Sequence, residues 1–371
     1  MQKIKLRFNE GHIDAFNTPG ILNLMFLDLT NLCNLRCLYC FNRHKLNRAP
    51  SHIGLGLLEK ILKSPVTRNV KNWFLSGGEP LCYPHLDEAL EMFREYGHRP
   101  KIATNGILLK PAVVDKWVAL DVQSVQFSFD TLKPSVFREV NAGREKDHHV
   151  IVENLKYAIR SPLRVVASSV LTADNKNEIS DVMRFCYELG IDSYTLYPDV
   201  PAEKAVMRLA VPIPEQWKLF DDLFQDYYDL KSAGLIDLTI PCFQFSDVYP
   251  KWKDKLTIRL HPCGAGVFNL KITSEGKVSA CICQDAPEFI VGDLGESDID
   301  DIWNSRPIRE FRSLSEKIPE CRDCPHRVTC RGGCRNEAFV VGSQGILSSD
   351  PHCEYVRKRG LMPQTARGHL S

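Results

Sequence analysis

Along the chain, apolar runs of strand length alternate with segments whose apolar residues recur every three or four positions. The runs lie at Ile21–Leu29, Trp73–Leu75, Lys101–Thr104, Val122–Phe129, Arg164–Leu171 and Ser193–Tyr197. Between them Leu86, Leu90 and Phe93 share helical spacing, as do Ile151, Leu155 and Ala158, and then Ile179, Val182, Met183 and Cys186. Residues three and four apart fall on one face of a helix, whereas a short continuous apolar run bounded by turns suits a buried strand. Six strands alternating with helices predict an α/β protein with a parallel sheet, doubly wound or wholly or partly closed as a barrel. In each of these, ligands gather at the carboxyl ends of the strands. The residues that follow each strand are therefore the first place to look for chemistry.

After the sixth strand the alternation stops. Trp217, Phe220, Leu223, Phe224 and Tyr227 form one helical stripe, read as a packing face. Asp298 to Leu314 reads as another helix, with Ile302, Trp303, Ile308 and Phe311 facing inward. The pattern divides the 371 residues into a lead-in (1–20) ending at the turn Thr18-Pro19-Gly20, an α/β unit (21–210), a bridging helical segment (211–260), a cysteine-rich unit (261–355) and a basic tail (356–371). The lead-in is too short for a separate peptide-binding domain, and the tail, with Arg357, Lys358, Arg359 and Arg367, reads as a mobile terminus.

Charge adds little: the formal net charge is +1 with 25% charged residues, so no global field favours nucleic acid or membrane as a partner. No run approaches the roughly 18 apolar residues of a membrane span, and no apolar signal core follows the basic start Met1–Lys5. These features predict a cytoplasmic protein. Cysteine usage changes the picture more. Fourteen cysteines would suit a secreted disulfide scaffold only in a smaller chain with an export signal. Ten of them fall in two groups with metal-ligand spacing, which favours metal; the others are Cys82, Cys186, Cys242 and Cys283. Cys186 lies on an apolar helical face and reads as core, and Cys82 as structural.

The first group, Cys33, Cys37 and Cys40, is spaced C-x3-C-x2-C just past the first strand. Clustered thiolates are soft ligands for iron or zinc. Three rather than four would leave one iron of a cubane cluster open to substrate or cofactor; a zinc knuckle is the alternative. The second strand runs into Ser76-Gly77-Gly78-Glu79-Pro80, where glycines let backbone approach a ligand and a carboxylate can accept from an ammonium group. An ordinary Gly-Gly turn is the alternative.

The spacing, with Tyr39 before the last cysteine, resembles the signature of radical S-adenosylmethionine (SAM) enzymes. The resemblance implies a partial six-stranded (β/α)6 barrel, with Cys33, Cys37 and Cys40 holding a [4Fe–4S] cluster whose open iron binds SAM. An electron from the cluster then yields a 5′-deoxyadenosyl radical. It further implies Tyr39 near the adenine and Ser76, Gly77, Gly78 and Glu79 around the methionine amino group. Ser128 and Asp130 after the fourth strand match the family's S-x-D segment, with Ser128 touching the ribose; Asn105 after the third strand is, like them, a short polar strand-end side chain suited to ribose hydroxyls and amino groups. Arg144 falls where relatives keep an arginine for the SAM carboxylate; a surface charge is the alternative. Tyr197, Asp199 and Glu203 after the sixth strand are candidates for substrate contact, with Tyr197 and Asp199 as the catalytic pair, and an exposed loop as the alternative.

The second group reads C-x12-G-x4-C over Cys263, Gly276 and Cys281, then C-x2-C-x5-C-x3-C-x18-C over Cys321, Cys324, Cys330, Cys334 and Cys353. Two structural zincs would also suit such thiolates. The whole spacing resembles the SPASM extension of radical SAM enzymes, which implies two auxiliary [4Fe–4S] clusters, for three in all. Cys321, Cys324, Cys330 and Cys353 would hold the outer one, and Cys263, Cys281 and Cys334 the inner one. Its fourth ligand is expected from Cys242 ahead of Cys283, with an open iron as a third option.

Auxiliary clusters suit a net oxidation, since they can take a second electron from the substrate radical. The first expectation is an oxidoreductase that modifies a peptide or protein side chain by crosslinking, epimerisation or oxidation, supplied with electrons by a flavodoxin or ferredoxin. The second is a dehydrogenase of a sugar or aminocyclitol alcohol, so that the substrate is a small molecule. The third is a non-catalytic, metal-stabilised binding module. The resemblance disfavours sulfatase maturation, since relatives of that type place an aspartate directly after the second inner-cluster cysteine, whereas Ile282 follows Cys281 here and Asp285 is not the matched position.

Overall fold

The computed structural model describes residues 4–5, 21–198, 209–229, 238–239, 249–252, 256–257, 263–353 and 355–356. Six parallel strands in chain order form the centre of one sheet: β1 (Leu24–Thr30), β2 (Asn72–Gly77), β3 (Pro100–Thr104), β4 (Ser124–Ser128), β5 (Arg164–Leu171) and β6 (Ser193–Pro198). All six lie within a few residues of the expected runs. The crossovers carry α1 (Leu55–Lys63), α2 (Leu86–Glu95), α3 (Pro111–Ala119), α4 (Pro134–Asn141), α5 (Glu145–Arg160) and α6 (Ile179–Leu189). Proline opens α3 and α4, where a missing N–H costs nothing, and Gly190 ends α6 at φ 88°.

The strands are two-faced. Met25, Leu27, Trp73, Leu75, Ile102, Val125, Phe127, Val165, Tyr194 and Leu196 are buried and join Leu58, Leu90, Phe93, Trp117, Leu155 and Met183 in one core under the helices. By the alternation of side chains across a strand, the other face carries Asn72, Ser76, Lys101, Gln126, Ser168 and Tyr197. There Phe26 stacks on Phe74 at 4.9 Å, Lys101 Nζ donates to Asn72 Oδ1 at 2.8 Å, and Gln126 Nε2 donates to Ser168 Oγ at 3.1 Å. A parallel sheet covered by apolar layers on both sides would be apolar throughout. This sheet instead carries polar side chains among the apolar ones on its second face.

The sheet is an open one of ten strands. β7 (Leu238–Thr239) follows β6, and on the free side of β1 lies β8 (Asn269–Ile272), also parallel, with Lys271 opposite Phe26. β9 (Lys277–Ser279) and β10 (Ile290–Asp293) continue antiparallel, giving the order β10-β9-β8-β1-β2-β3-β4-β5-β6-β7. A strand from the cysteine-rich unit joining β1 was not expected from its composition.

Helix α7 (Ile213–Asp229) buries Trp217, Phe220, Leu223, Phe224 and Tyr227 in the same core, as a packing face should. The single helix expected over Asp298–Leu314 is instead two, α8 (Ile299–Trp303) and α9 (Arg306–Arg312). Pro307 cannot extend the ladder of α8, and Ser305 restarts it by accepting from Ile308 N at 3.5 Å. Ile302, Trp303, Ile308 and Phe311 are nonetheless all buried, and Cys186 is fully so. A last helix, α10 (Arg335–Val341), follows Cys334. Among the described residues no helix is long and apolar enough to cross a membrane.

Candidate active site

Cys33, Cys37 and Cys40 follow β1 at its carboxyl end, and all thirteen described cysteines are free thiols. The loop is held from both sides. Cys33 N donates to Asn47 Oδ1 and Asn47 Nδ2 returns a bond to Cys33 O, both at 2.9 Å. On the other side Leu38 N donates to Val140 O at 2.8 Å and Arg36 N to Asn141 O at 3.4 Å, tying the loop to the end of α4. Burial pushes the Cys33 and Cys37 thiols up to about 12 and Cys40 to about 11. Without a metal they keep their protons, which a bound cation would displace. Three soft, half-buried donors with no disulfide partner fit an iron–sulfur cluster.

The Ser76–Pro80 turn meets this loop through backbone. Gly77 sits at φ 123°, and a Cβ there would lie 2.4 Å from Thr30 O; at Gly78 it would lie 2.0 Å from Leu32 O. Gly78 N donates to Thr30 O at 2.6 Å and Glu79 N to Leu32 O at 2.7 Å. The close approach at these glycines seats the cysteine loop. Glu79 is buried, its Oε1 accepting from Thr104 Oγ1 (2.7 Å) and Leu81 N (3.2 Å) and its Oε2 from Asn105 N (2.9 Å). Burial raises its pKa while those donors oppose the shift. Asn105 Nδ2 in turn donates to Asn34 Oδ1 in the cysteine loop at 2.7 Å. Ser76 is half-buried opposite Asp28, and Ser128 is exposed at the end of β4.

Asp130 and Tyr39 are turned inward. Asp130 is buried and accepts from the Tyr39 hydroxyl, from Val170 N at 2.8 Å and from Asn141 Nδ2 at 3.1 Å. Arg144 faces solvent and pairs with Asp147, Nε and Nη2 lying 2.9 and 2.8 Å from its carboxylate, at the start of α5. Tyr197 is half-buried at the end of β6; burial carries its phenol to about 12 against a hydrogen bond with Gln126. Asp199, Glu203 and Cys242 lie outside the described residues.

The second cysteine system separates into two places. Cys321, Cys324, Cys330 and Cys353 line one small pocket with Arg327 and Gly332. Cys263, Cys281 and Cys283 are mutual electrostatic neighbours beside β9, where burial pushes Cys283 up to about 11. The Cys281–Cys283 bend is fixed by Ser279, whose Oγ donates to Gln284 O at 2.6 Å and accepts from Cys281 N at 3.2 Å. Cys334 N donates to Asp350, which also accepts from His352 N at 2.7 Å, and His352 Nδ1 sits 2.7 Å from Glu337 Oε2. Burial alone would lower the His352 pKa, but Glu337 and Asp350 raise it to about 10. This buried ion cluster ties the segment before Cys353 to helix α10.

Sequence reasoning missed a charged cluster between the two systems. Lys271, 1% exposed on β8, places Nζ 3.1 Å from Asn42 Oδ1, 3.4 Å from Asp28 and 3.8 Å from Asp285. Lys45 bridges the same two carboxylates, and His44 reaches Asp285 at 3.1 Å. Burial opposes ionisation of Asp285, but His44, Lys271 and Lys45 hold its carboxyl well below the usual range. Asn42 Nδ2 donates to both Asp28 and Gly77 O. The signals were present: a lysine inside Leu270–Ile272 and an aspartate inside Leu27–Leu29, each breaking an apolar strand. Asn141 was missed too, and a helix-terminal asparagine carries no comparable signal.

The family description "Radical SAM superfamily" matches residues 27–186, and the iron–sulfur cluster-binding SPASM domain matches residues 263–325. The chain is 24% identical to an AdoMet-dependent heme synthase of Methanosarcina barkeri, over 90% of this chain and 96% of that protein. It is 25% identical to a PqqA peptide cyclase of Bradyrhizobium diazoefficiens, over 91% and 87%. In fold it is similar to Streptococcus suis SuiB bound to S-adenosylmethionine, with a TM-score of 0.73 at 19% identity over 92% of this chain and 80% of that one.

Proposed function

The chain belongs to the radical SAM superfamily, is an enzyme of its SPASM type, and on that footing we propose that it modifies a side chain of a peptide or protein. The observation that carries this reading is the union of three free thiols with the Ser76–Pro80 turn at adjacent strand ends, beside two further thiol groups. The PqqA peptide cyclase, aligned over nearly the whole chain, supports a peptide substrate. The heme synthase, equally well covered, supports a small molecule as the second reading.

Cys33, Cys37 and Cys40 would hold the SAM-cleaving cluster; Cys321, Cys324, Cys330 and Cys353 would hold the outer auxiliary one. For the inner one we put Cys283 ahead of Cys242 beside Cys263, Cys281 and Cys334, because its bend sets it with the first two. When bound, such clusters supply the electron that cleaves SAM and an acceptor for the electron the substrate radical gives up. The chain's own part is placement. Ser76, Gly77, Gly78, Asn105 and Ser128 would face SAM, while Glu79, Asp130 and Tyr39, whose polar atoms are engaged with protein, would hold the walls of its site. Arg144 would reach the SAM carboxylate only by releasing Asp147. Tyr197, which interacts with Gln126 and Cys283, would be the side chain that contacts the substrate radical.

Anaerobic reconstitution tests the reading. About twelve irons with matching sulfide are expected for three four-iron clusters, and reduction with SAM should yield 5′-deoxyadenosine. Zinc without sulfide and no cleavage would refute it. Cys283→Ala should lower iron or alter the inner-cluster EPR signal, and Cys242→Ala should not; the reverse would restore Cys242. A library of peptides against porphyrin-like and sugar-like small molecules, read by 5′-deoxyadenosine turnover, separates the two substrate classes.

A further inference from the structure

Asn141 is the last residue of α4, 3% exposed, and the chain leaves it through Ala142 in the left-handed region at φ 53°. Its carbonyl oxygen accepts from Arg36 N, so the residue is pinned to the cysteine loop before its side chain is considered. The side-chain amide nitrogen lies 3.4 Å from Cys37 Sγ, 2.8 Å from the Tyr39 hydroxyl oxygen and 3.1 Å from Asp130 Oδ2. The amide orientation is forced. Once Cys37 ligates a cluster as a thiolate, a flip would turn the amide oxygen toward a sulfur and a carboxylate, neither of which then offers a proton. The Tyr39 hydroxyl is already spent on Asp130, so its lone pair is free to accept from Asn141. Among the described residues the side-chain oxygen of Asn141 is buried without a partner. Burying an oxygen unpaired is unfavourable, and the N–H side nevertheless faces the sulfur.

The Asn141 side chain bonds outside α4, to Cys37, Tyr39 and Asp130. Its two amide hydrogens are directed at one cluster-ligand sulfur and at the pair that anchors it. A hydrogen bond to a ligating sulfur draws electron density from it and favours the reduced, more negative state of a cluster. We propose that Asn141 is a positioning residue that raises the reduction potential of the cluster held by Cys33, Cys37 and Cys40. It acts through the Cys37 sulfur, with Asp130 and Tyr39 holding its amide in register. The inference rests on the reading of that loop as the SAM-cleaving site. It adds a residue outside the cysteine motif that governs how readily the site takes the electron it passes to SAM.

The test uses the full-length, reconstituted enzyme. In the wild type, the EPR signal of the reduced cluster that changes on adding SAM identifies the site, and its midpoint is followed by redox titration. Asn141→Leu keeps the volume and removes the donor. With iron and sulfide unchanged, its midpoint should shift to lower potential; an unshifted or higher midpoint overturns the proposal. A second measurement needs no variant. Asparagine labelled with 15N at the side-chain amide should give a 15N hyperfine coupling to that reduced cluster, and its absence in the wild type overturns the proposal even if Asn141→Leu loses iron. Failure of the underlying reading would look different: the wild type itself would show no SAM-sensitive signal.

Discussion

Replacing Gly78 by alanine tests what the Gly-Gly turn is for. The added Cβ would lie 2.0 Å from Leu32 O, 2.5 Å from Leu32 C and 3.0 Å from Asn31 C, against 3.4 Å or more in ordinary contact. The obstacle is backbone, which has no rotamer to swing aside, so one of the two loops must retreat by roughly 1.4 Å, the difference between those two separations. That retreat breaks the bonds from Gly78 N to Thr30 O and from Glu79 N to Leu32 O, at 2.6 and 2.7 Å. At about 0.5–1.5 kcal/mol net each, the loss is about 1–3 kcal/mol, and it falls on the residue next to Cys33. The expected result is a folded protein that retains iron poorly at the first loop even before SAM is added. The assay is iron and sulfide per chain, with the SAM-sensitive EPR signal to say which cluster is lost. Gly56→Ala, where an added Cβ meets nothing within 4 Å, is the control, and it should be neutral or slightly stabilising. A Gly78→Ala enzyme with full iron and only weakened SAM binding would refute the argument that Gly78 is needed to seat the cysteine loop.

Other consequences follow from the buried charges. Lys271→Met leaves Asp28 and Asp285 with one cation fewer in the interior, and removing one member of a buried ion pair costs about 3–5 kcal/mol. Urea unfolding should show that loss, the double variant Lys271→Met/Asp28→Asn should recover part of it, and a single variant as stable as wild type would mean the network is not closed as described. Lys101 is held near a pKa of about 8 by burial and by Arg164, below its usual 10.5. Its ammonium is disfavoured in the fold, so the unfolded chain binds more protons between those values and stability should rise with pH from about 8 to 10.5. Urea midpoints of Lys101→Met should lose that part of the slope, and an unchanged slope would remove Lys101 as its cause.

How much of this was legible depended on whether the signal was local. Leu86, Leu90 and Phe93 fix a helix by spacing alone, and the six runs locate the strands, though not their order in the sheet, because each is read from neighbours in sequence. Cys33, Cys37 and Cys40 are likewise a local pattern. What the sequence does not show is pairing across distance. Asp130 and Tyr39 are 91 residues apart and meet as donor and acceptor, so the partner of each is invisible from its own neighbours. Glu79 looked like a free carboxylate beside glycines, and only the fold brings Thr104 and Asn105 onto it. The helix over Asp298–Leu314 was misjudged for a local reason: inward spacing continues across Pro307, and periodicity was allowed to outweigh a proline that ends the ladder.

The charged cluster around Lys271 shows why the cysteine-rich unit cannot be treated as an accessory hung from the barrel. β8 lies in register with β1, so Lys271 reaches Asp28 across one strand spacing. Asp28 is five residues before Cys33, and Asp285 is two residues after Cys283. The same ammonium therefore touches the strand that delivers the first cysteine loop and the turn that leaves the inner auxiliary thiols. Asn42, two residues past Cys40, adds a third tie by bonding Asp28, Gly77 O and Lys271 at once. An isolated buried charge would be expelled or neutralised, but four paired charges and a bridging amide satisfy one another only in one arrangement. Stability is not the only quantity such a cluster sets. It fixes the position of the Cys33–Cys40 loop relative to the Cys281–Cys283 bend, a task an apolar seam of the same volume would perform with less angular precision.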